Sequence, residues 1–466
     1  MVHPLLAVPT LSAHRSTAQT ADTSRAHLFV ALMCSNPGAG ASRHSIEDVD
    51  EVCLGRGSRT LARTAANGAR RVLTLTLPDD RVSTSHARLS RDDAGWTFED
   101  LGSKNGSFVN GAAARKRPLV DGDVLQVGYT LLIFRDALPT PPAAVANVDV
   151  VPQASAFATL LPTLAREFGA LASIASSDVP VLLVSETGTG KEVVARALHA
   201  LSRRKGAFVP VNCGALPATL AESILFGHKR GAFSGATADS AGLVRSADEG
   251  TLLLDEVGDM PPALQPMLLR ALQEGEVLPV GATTSTRIRV RFVGATHRNL
   301  ENAVAAGTFR EDLYARLSGF VFRLPPLRER REDIGLLTAA LLKKIEETNG
   351  RAQTLSAEAG TLLLRYDWPR NVRELEKCLT RAALFAAGGP IEPSHLPPEV
   401  RAGNEAAPAR PRALSPRDEA TRTRLLELLK EHRGNLSAVA EAFNTSRSQV
   451  HRWLRRFEID STKYRT

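Results

Sequence analysis

A short apolar run, Val181-Leu-Leu-Val184, leads straight into Ser185-Glu-Thr-Gly-Thr-Gly-Lys191-Glu192, and a helix-like stretch, Val193 to Ala200, follows at once. Few folds can host a strand, a Gly-rich turn and a helix in that order. Backbone N–H groups of the turn and of the helix N-terminus converge on an anion there, and Lys191 adds a point charge. Gly188 and Gly190 allow backbone angles and an approach that a Cβ would block. Ser185, Glu186, Thr187, Gly188, Thr189, Gly190, Lys191 and Glu192 are therefore the candidate phosphate cradle. The loop departs from G-x-x-x-x-G-K-[ST] twice, with Ser185 at its first position and Glu192 after the lysine. Downstream, Thr251-Leu-Leu-Leu-Asp255-Glu256 reads as a buried strand ending in two carboxylates. That pair suits a Mg²⁺-associated Asp255 and a water-polarising Glu256. Strand candidates at Val179–Val184, Phe208–Asn212, Thr251–Leu254 and Arg289–Ala295 alternate with helical segments over about 155–330, an α/β sheet pattern. Residues 331–398 read as helical.

The chain is far longer than this unit. Its 466 residues suggest about three domains at roughly 150 residues each. From about 50 to 136 the pattern is strand-like. Arg71 to Leu77 alternates every second residue, and Asn67-Gly68, Asn105-Gly106, Asn110-Gly111 and Asp121-Gly122 break the strands, which predicts an all-β sandwich. The boundaries expected are a mobile N-terminal extension over 1–45, a β module over 46–137 and a Pro/Ala linker over 138–153. An α/β domain with a helical lid follows over 154–398 (lid 331–398), then a second linker over 399–416 and a helical module over 417–460. The longest apolar candidate, Leu28 to Cys34, is too short to span a membrane and lies too far in for a leader. Cys34, Cys53, Cys213 and Cys378 form no close pair, which excludes a C-x-x-C zinc site and fits a reducing cytoplasm.

The formal net charge is +8. Residues 415–466 hold 11 Lys/Arg and 7 Asp/Glu, so 11 − 7 = +4 of it lies in the last stretch. Leu425, Leu426, Leu428 and Leu429 mark one amphipathic helix, and Gly434-Asn435 ends it. Leu436 to Phe443 forms a second helix, and Ser446-x-x-Gln449 is a capping box opening a third. This is a helix-turn-helix pattern. Ser448, Gln449 and Arg452 are the base-contact candidates, with Arg447, Arg455 and Arg456 on phosphate.

Three resemblances follow from these residues. Gly55-Arg56, Ser83-x-x-His86 and Asp100 to Gly111, with Asp121-Gly-Asp123 and Gly128, resemble a forkhead-associated (FHA) domain. The resemblance implies phosphothreonine binding, with Arg56 and Ser83 on the phosphate, Asn105 on the peptide backbone, Thr84 and Lys104 flanking, and His86 propping the loop. Residues 155–395 resemble the AAA+ domain of bacterial sigma-54-dependent activators. The match includes Glu186 to Glu192, Val211-Asn-Cys213, Leu225-Phe-Gly-His228, Gly231-Ala-Phe-Ser-Gly-Ala236, Leu254-Asp-Glu256, Phe309 to Tyr314, Leu324 to Arg330 and Trp368 to Leu375. This implies ATP as substrate, with Lys191 on the β/γ phosphates, Asp255 on Mg²⁺ and Glu256 activating water. By the same resemblance Asn212 switches that glutamate, His297 senses the γ-phosphate, and Arg373 is a second sensor on the lid. Arg310 and Arg316 are arginine fingers reaching the next subunit's nucleotide, so the chain pairs with itself in a head-to-tail ring, with a hexamer expected. Gly231, Ala232, Phe233, Ser234, Gly235 and Ala236 form the loop that contacts sigma-54, with Ser234 where Thr is usual. The C-terminal module resembles the Fis-type DNA-binding end of the same family.

The function expected is an ATP-dependent, cytoplasmic transcription activator, with no membrane part. It binds upstream DNA, remodels sigma-54 RNA polymerase, and reads a phosphothreonine protein or peptide. Two alternatives stand beside it: a DNA-binding regulator with a weak ATPase, and a remodeller of another client scaffolded by phosphopeptides.

Overall fold

A computed structural model of the chain describes residues 22–68, 70–151, 156–217, 219–402, 416–443, 445, 447–457 and 459–464, with the backbone alone at 416–418, 420, 448, 449, 452, 455, 456, 462 and 463. The β module is a sandwich of a seven-stranded and a six-stranded sheet. In the six-stranded sheet, Arg70–Leu77 behaves as its alternation requires: Leu73, Leu75 and Leu77 are buried among Val52, Leu54, Leu89 and Phe98. It lies parallel to Glu51–Arg56, within an otherwise antiparallel sheet.

The sandwich begins earlier than its periodicity indicates. Thr23–Met33 is a strand, antiparallel to Thr130–Thr140 on one side and to Ala41–Ser45 on the other. Residues 23–45 are thus built into the sheet, where the sequence suggested a mobile extension. Residues 1–21 lie outside the described residues. The reason for the difference is physical. Leu28 and Val30 face the sandwich core, while Phe29, Ala31, Leu32 and Cys34 face the α/β domain. A strand buried on both faces is continuously apolar and shows no alternation. The expected linker over 138–153 is also partly ordered into this sheet. Thr130–Thr140 runs through its start, and Asn147–Val150 pairs with Ala41–Ser45.

The α/β domain carries a five-stranded parallel sheet in the order Phe208–Asn212, Thr251–Asp255, Arg291–Thr296, Val181–Val184, Phe320–Arg323. Its last strand had no separate sequence signal. The lid consists chiefly of the helices Ile334–Asn349, Ala357–Arg365 and Asn371–Ala386. The outer face of the seven-stranded sheet packs on this lid and on the helix Pro162–Ser173, in one apolar cluster that joins the two domains. The approach is close enough to require glycine. A Cβ at Gly335 would lie 1.8 Å from the Ala31 carbonyl oxygen, and one at Gly360 would lie 2.6 Å from Cys34 Sγ. Leu355 N–H donates to the Cys34 carbonyl across the same seam (2.9 Å).

The C-terminal helices Pro416–Glu431, Leu436–Ala442 and Arg447–Arg456 enclose their own core of Leu425, Leu428, Leu429, Val439, Val450, Leu454 and Phe457. Leu426 is only half-buried. Asn435 caps the middle helix, accepting from Ser437 and Ala438 N–H. Among the described residues, no helix is long and apolar enough to cross a membrane.

Gly335→Ala is expected to lower the unfolding free energy by about 1–3 kcal/mol, because the clash is with backbone and cannot be relieved by a rotamer. Gly169→Ala, in an exposed helical position with open space around it, is expected to raise it by about 0.5–1 kcal/mol. Thermal or urea unfolding of the full chain checks both signs.

Candidate active site

The site lies at the carboxyl ends of the parallel strands, where α/β sheets gather ligand groups. Val184 delivers the loop 185–190, and the helix Lys191–Ser202 opens on Gly190, whose φ is 105°. Gly188 also has positive φ (81°), and a Cβ there would lie 2.5 Å from the Arg370 carbonyl oxygen. Both glycines are therefore required by geometry. Ser185, where the resembled family has glycine, is not among the positive-φ residues, so its Cβ carries no backbone penalty. Its hydroxyl lies 2.6 Å from Thr189 Oγ1, tying the two ends of the loop together.

Lys191 is buried, with Nζ donating to the Ser185 and Glu186 carbonyls at 3.3 and 3.4 Å. Glu256 Oε1 lies 3.9 Å from the same ammonium, and Glu256 Oε2 lies 2.6 Å from His297 Nδ1. Glu256 sits at φ 52°, a conformation that costs a side-chain-bearing residue about 1–3 kcal/mol. Asp255 precedes it, half-buried. Desolvation, then the neighbouring Glu256 charge, raises its carboxyl above the usual aspartate range. Asn212 is the register partner of Asp255 on the adjacent strand. Its Oδ1 accepts from Gly214 and Ala215 N–H at 3.0 and 3.2 Å, while Glu256 is engaged by His297 and Lys191. Asn212, which the resemblance makes the switch of Glu256, is a cap in this structure. Glu192 points outward and pairs with Arg196.

The lid closes on the loop from the other side. Arg373 N–H donates to the Gly188 carbonyl (3.2 Å). Asn371 is fully buried at φ 58°, and its Nδ2 reaches Glu186 Oε2 and the Thr187 carbonyl, both at 3.1 Å. Arg328 holds the Glu186 carboxylate in two bonds, lowering its pKa, with Asn371 adding to the shift. Sequence reasoning missed Asn371 and Arg328. Both lie inside quoted motifs, yet no spacing rule assigns a buried asparagine to a loop 184 residues away.

Arg310 and Arg316 are exposed on or beside the helix Glu311–Leu317, and Arg310 is clasped by Asp312 of that helix. The loop 231–236 is a tight turn: Gly231 N–H donates to the Ala236 carbonyl (2.8 Å), and Gly231 and Gly235 have positive φ. Phe233 at its tip is 36% exposed, with its ring edge-on to His228 at 5.0 Å. Ala232 is half-buried, Ser234 is exposed, and Ala236 is buried.

In the β module, Arg56, Thr84, Lys104 and Asn105 are exposed around Ser83. Ser83 Oγ accepts from Lys104 N–H (3.2 Å), and Asn105 Nδ2 donates to the Arg81 carbonyl (2.7 Å). His86 is fully buried, and burial lowers its pKa. Nδ1 accepts from Ser83 N–H, and Nε2 lies 3.3 Å from the Gly106 carbonyl, so the neutral tautomer protonated at Nε2 satisfies both. In the C-terminal module Arg447 is exposed at the start of the third helix. The side chains of Ser448, Gln449, Arg452, Arg455 and Arg456, and all of Ser446, lie outside the described residues.

The sequence matches the sigma-54 interaction domain over residues 161–323 and the AAA+ ATPase lid domain over 328–413. It matches the FHA domain over 54–128 and the homeodomain-like domain over 416–462. It is 39% identical over 312 residues to the transcriptional regulatory protein GlrR of Escherichia coli K12, covering 66% of this chain and 70% of that one. The chain belongs to the sigma-54 enhancer-binding regulators. This regulator is also 43% identical to the regulatory protein AtoC of Escherichia coli K12, over 62% of its own length and 65% of AtoC. With the Nif-specific regulatory protein of Azotobacter vinelandii the identity is 49%, over 49% of this chain and 44% of that one. The regulator therefore spans less than two thirds of AtoC and less than half of the Nif-specific protein.

Glu256→Gln is expected to slow phosphate release by about 10²–10⁴-fold, the usual weight of a general base. Nucleotide affinity, titrated with a fluorescent ATP analogue, is expected to stay within about threefold, because the amide keeps the carboxylate's shape while losing its basicity.

Proposed function

We propose that this regulator hydrolyses ATP to remodel sigma-54 RNA polymerase, and that it is held at upstream DNA by its C-terminal helices. The observation that carries the reading is the constellation Lys191, Asp255, Glu256 and His297 at the carboxyl ends of the parallel strands, within a segment that matches the sigma-54 interaction domain.

The site's chemistry is electrostatic. Lys191 Nζ and the N–H groups of the loop and its helix bind the β/γ phosphates. Glu256, held by His297, orients and deprotonates the attacking water. Magnesium takes oxygen ligands and commonly keeps several waters beside one or two carboxylates and substrate phosphates. The half-buried Asp255 carboxylate next to Glu256 fits that donor set, and Asp255 would hold the ion, which when bound neutralises phosphate charge. Arg373, whose backbone N–H donates to the Gly188 carbonyl, would sense the nucleotide from the lid. Arg310 and Arg316, exposed rather than turned into the cradle, are suited to reach the nucleotide of a neighbouring copy. A finger supplied in this way is worth about 10³–10⁵ in rate and makes hydrolysis depend on ring assembly, with a hexamer the ring we infer.

The loop Gly231–Ala236 offers Phe233 and Ser234 to sigma-54. Ser448, Gln449 and Arg452 would read bases, with Arg447, Arg455 and Arg456 on phosphate. In the β module Arg56 and Ser83 would bind a phosphothreonine, with Asn105 on the peptide and Thr84 and Lys104 flanking. The cytoplasm is where such a regulator meets polymerase.

Phe233→Ala is expected to cut open-promoter formation by about tenfold or more, as for loss of an aromatic anchor, while phosphate release persists. Promoter opening that survives this change would remove the loop from the sigma-54 contact. Arg56→Ala is expected to weaken a phosphothreonine peptide about 10- to 100-fold in titration calorimetry without lowering the melting temperature.

A further inference from the structure

Seven residues that lead into the lid, 327–333, bond first to the lid and the nucleotide loop 185–190 (the P-loop), and then to the β module and the segment that follows it. On the nucleotide side, Leu327 N–H donates to Asn371 Oδ1 (2.8 Å), Arg328 grips Glu186, and Arg330 Nη2 donates to the Thr189 carbonyl (2.8 Å). On the other side, Glu332 Oε1 receives Arg135 Nη1 of the β module, and that carboxylate is fully buried. Arg135 is fixed in turn by Asp121 (3.0 Å). Asp333 accepts from Thr159 Oγ1 and Leu160 N–H, both at 2.7 Å, on the segment that connects the two domains.

Such an arrangement is more than packing. Arg330 Nε and Glu332 Oε2 are buried without a protein partner, two residues apart. Burying such groups unpaired is destabilising, and an apolar seam would avoid it. Arg330 sits between its bond to Thr189 and the charge of Asp333, while burial lowers its pKa. Asp333 N–H also donates to the Arg330 carbonyl (2.9 Å), so Glu332 and Asp333 share one short segment with the cation that holds the P-loop.

We propose that residues 327–333 are a strut through which the docked β module positions the P-loop for nucleotide, with Arg135 as its outermost positioning residue. The proposal rests on the reading of the P-loop as the ATP site. It makes the β module part of the ATPase's geometry, and not only a sensor tethered to it.

The test uses the full chain. Arg135→Gln removes the charge that Glu332 receives, and Arg135→Lys keeps it. The expected result is a KM for ATP and a dissociation constant for fluorescent ADP raised about 3- to 10-fold in Arg135→Gln, within the range of remote couplings. The change in kcat should stay below about twofold, and Arg135→Lys should restore most of the loss. Glu332→Gln, which keeps the side-chain volume, should reproduce the shift and serves as the second variant if Arg135→Gln fails to fold. Unchanged ADP affinity and KM in folded variants would overturn the proposal, as would a lowered melting temperature with both constants intact. Absence of hydrolysis by the unaltered protein would instead overturn the functional reading, and the ADP titration separates the two.

Discussion

Burial of both faces of the strand Thr23–Met33 is the constraint on which the assembly of this molecule depends. One face completes the sandwich core through Leu28 and Val30, and the other seats the sandwich on the lid through Phe29, Ala31 and Leu32. A side chain at Gly335 or Gly360 would hold the two domains apart, because backbone or sulfur already occupies the space. The lid in turn touches residues 186–189 of the nucleotide loop through Arg328, Asn371, Arg373 and Arg330. The sandwich, the lid and the loop are therefore three contacts deep in one packed body.

The electrostatics of the cradle explain why it can exist without collapsing on itself. Lys191 is buried yet has two carbonyls and the Glu256 carboxylate within reach. Glu256 is shared between that ammonium and His297. The phosphates of a nucleotide would compete with Glu256 for Lys191, leaving the carboxylate to His297 and to water. Arg310 spends its charge on Asp312 in the meantime, on an exposed helix where a neighbouring anion can draw it away cheaply.

Much of this was legible in the sequence, for reasons that differ by element. The loop 185–192 was readable because Gly188 and Gly190 are demanded by backbone angles, and the strand Arg70–Leu77 because one of its faces is more exposed. The strand Thr23–Met33 was not readable as part of the sandwich, since two-sided burial erases alternation. The stretch 138–153 looked like a linker because Pro and Ala dominate it, yet Asn147–Val150 gains its order from pairing with Ala41–Ser45, a tertiary effect. Of the site, Lys191, Asp255, Glu256 and His297 were placed by motif and are brought together. Asn212 was placed correctly on its strand but caps the turn that follows it. Asn371 was invisible because its role depends on a left-handed backbone and on partners far away in the chain.

The docking also joins the loops at one end of the sandwich to the lid at the other. Asn105 donates to the Arg81 carbonyl, and Arg81 N–H donates to Asp79, whose other oxygen accepts from Tyr129 N–H and Thr130 Oγ1. The Arg81 guanidinium lies over the Tyr129 ring at 5.5 Å. The Tyr129 carbonyl accepts from Cys34 N–H, and the Cys34 carbonyl accepts from Leu355 N–H of the lid. The loop that carries Asn105 and the lid are thus joined by a short run of bonded residues. Contiguity alone transmits nothing, because a coupling needs an element with two arrangements that both sites bias. At the seam between sandwich and lid, Arg330 Nε and Glu332 Oε2 are buried without a protein partner, so the bonding there is incomplete.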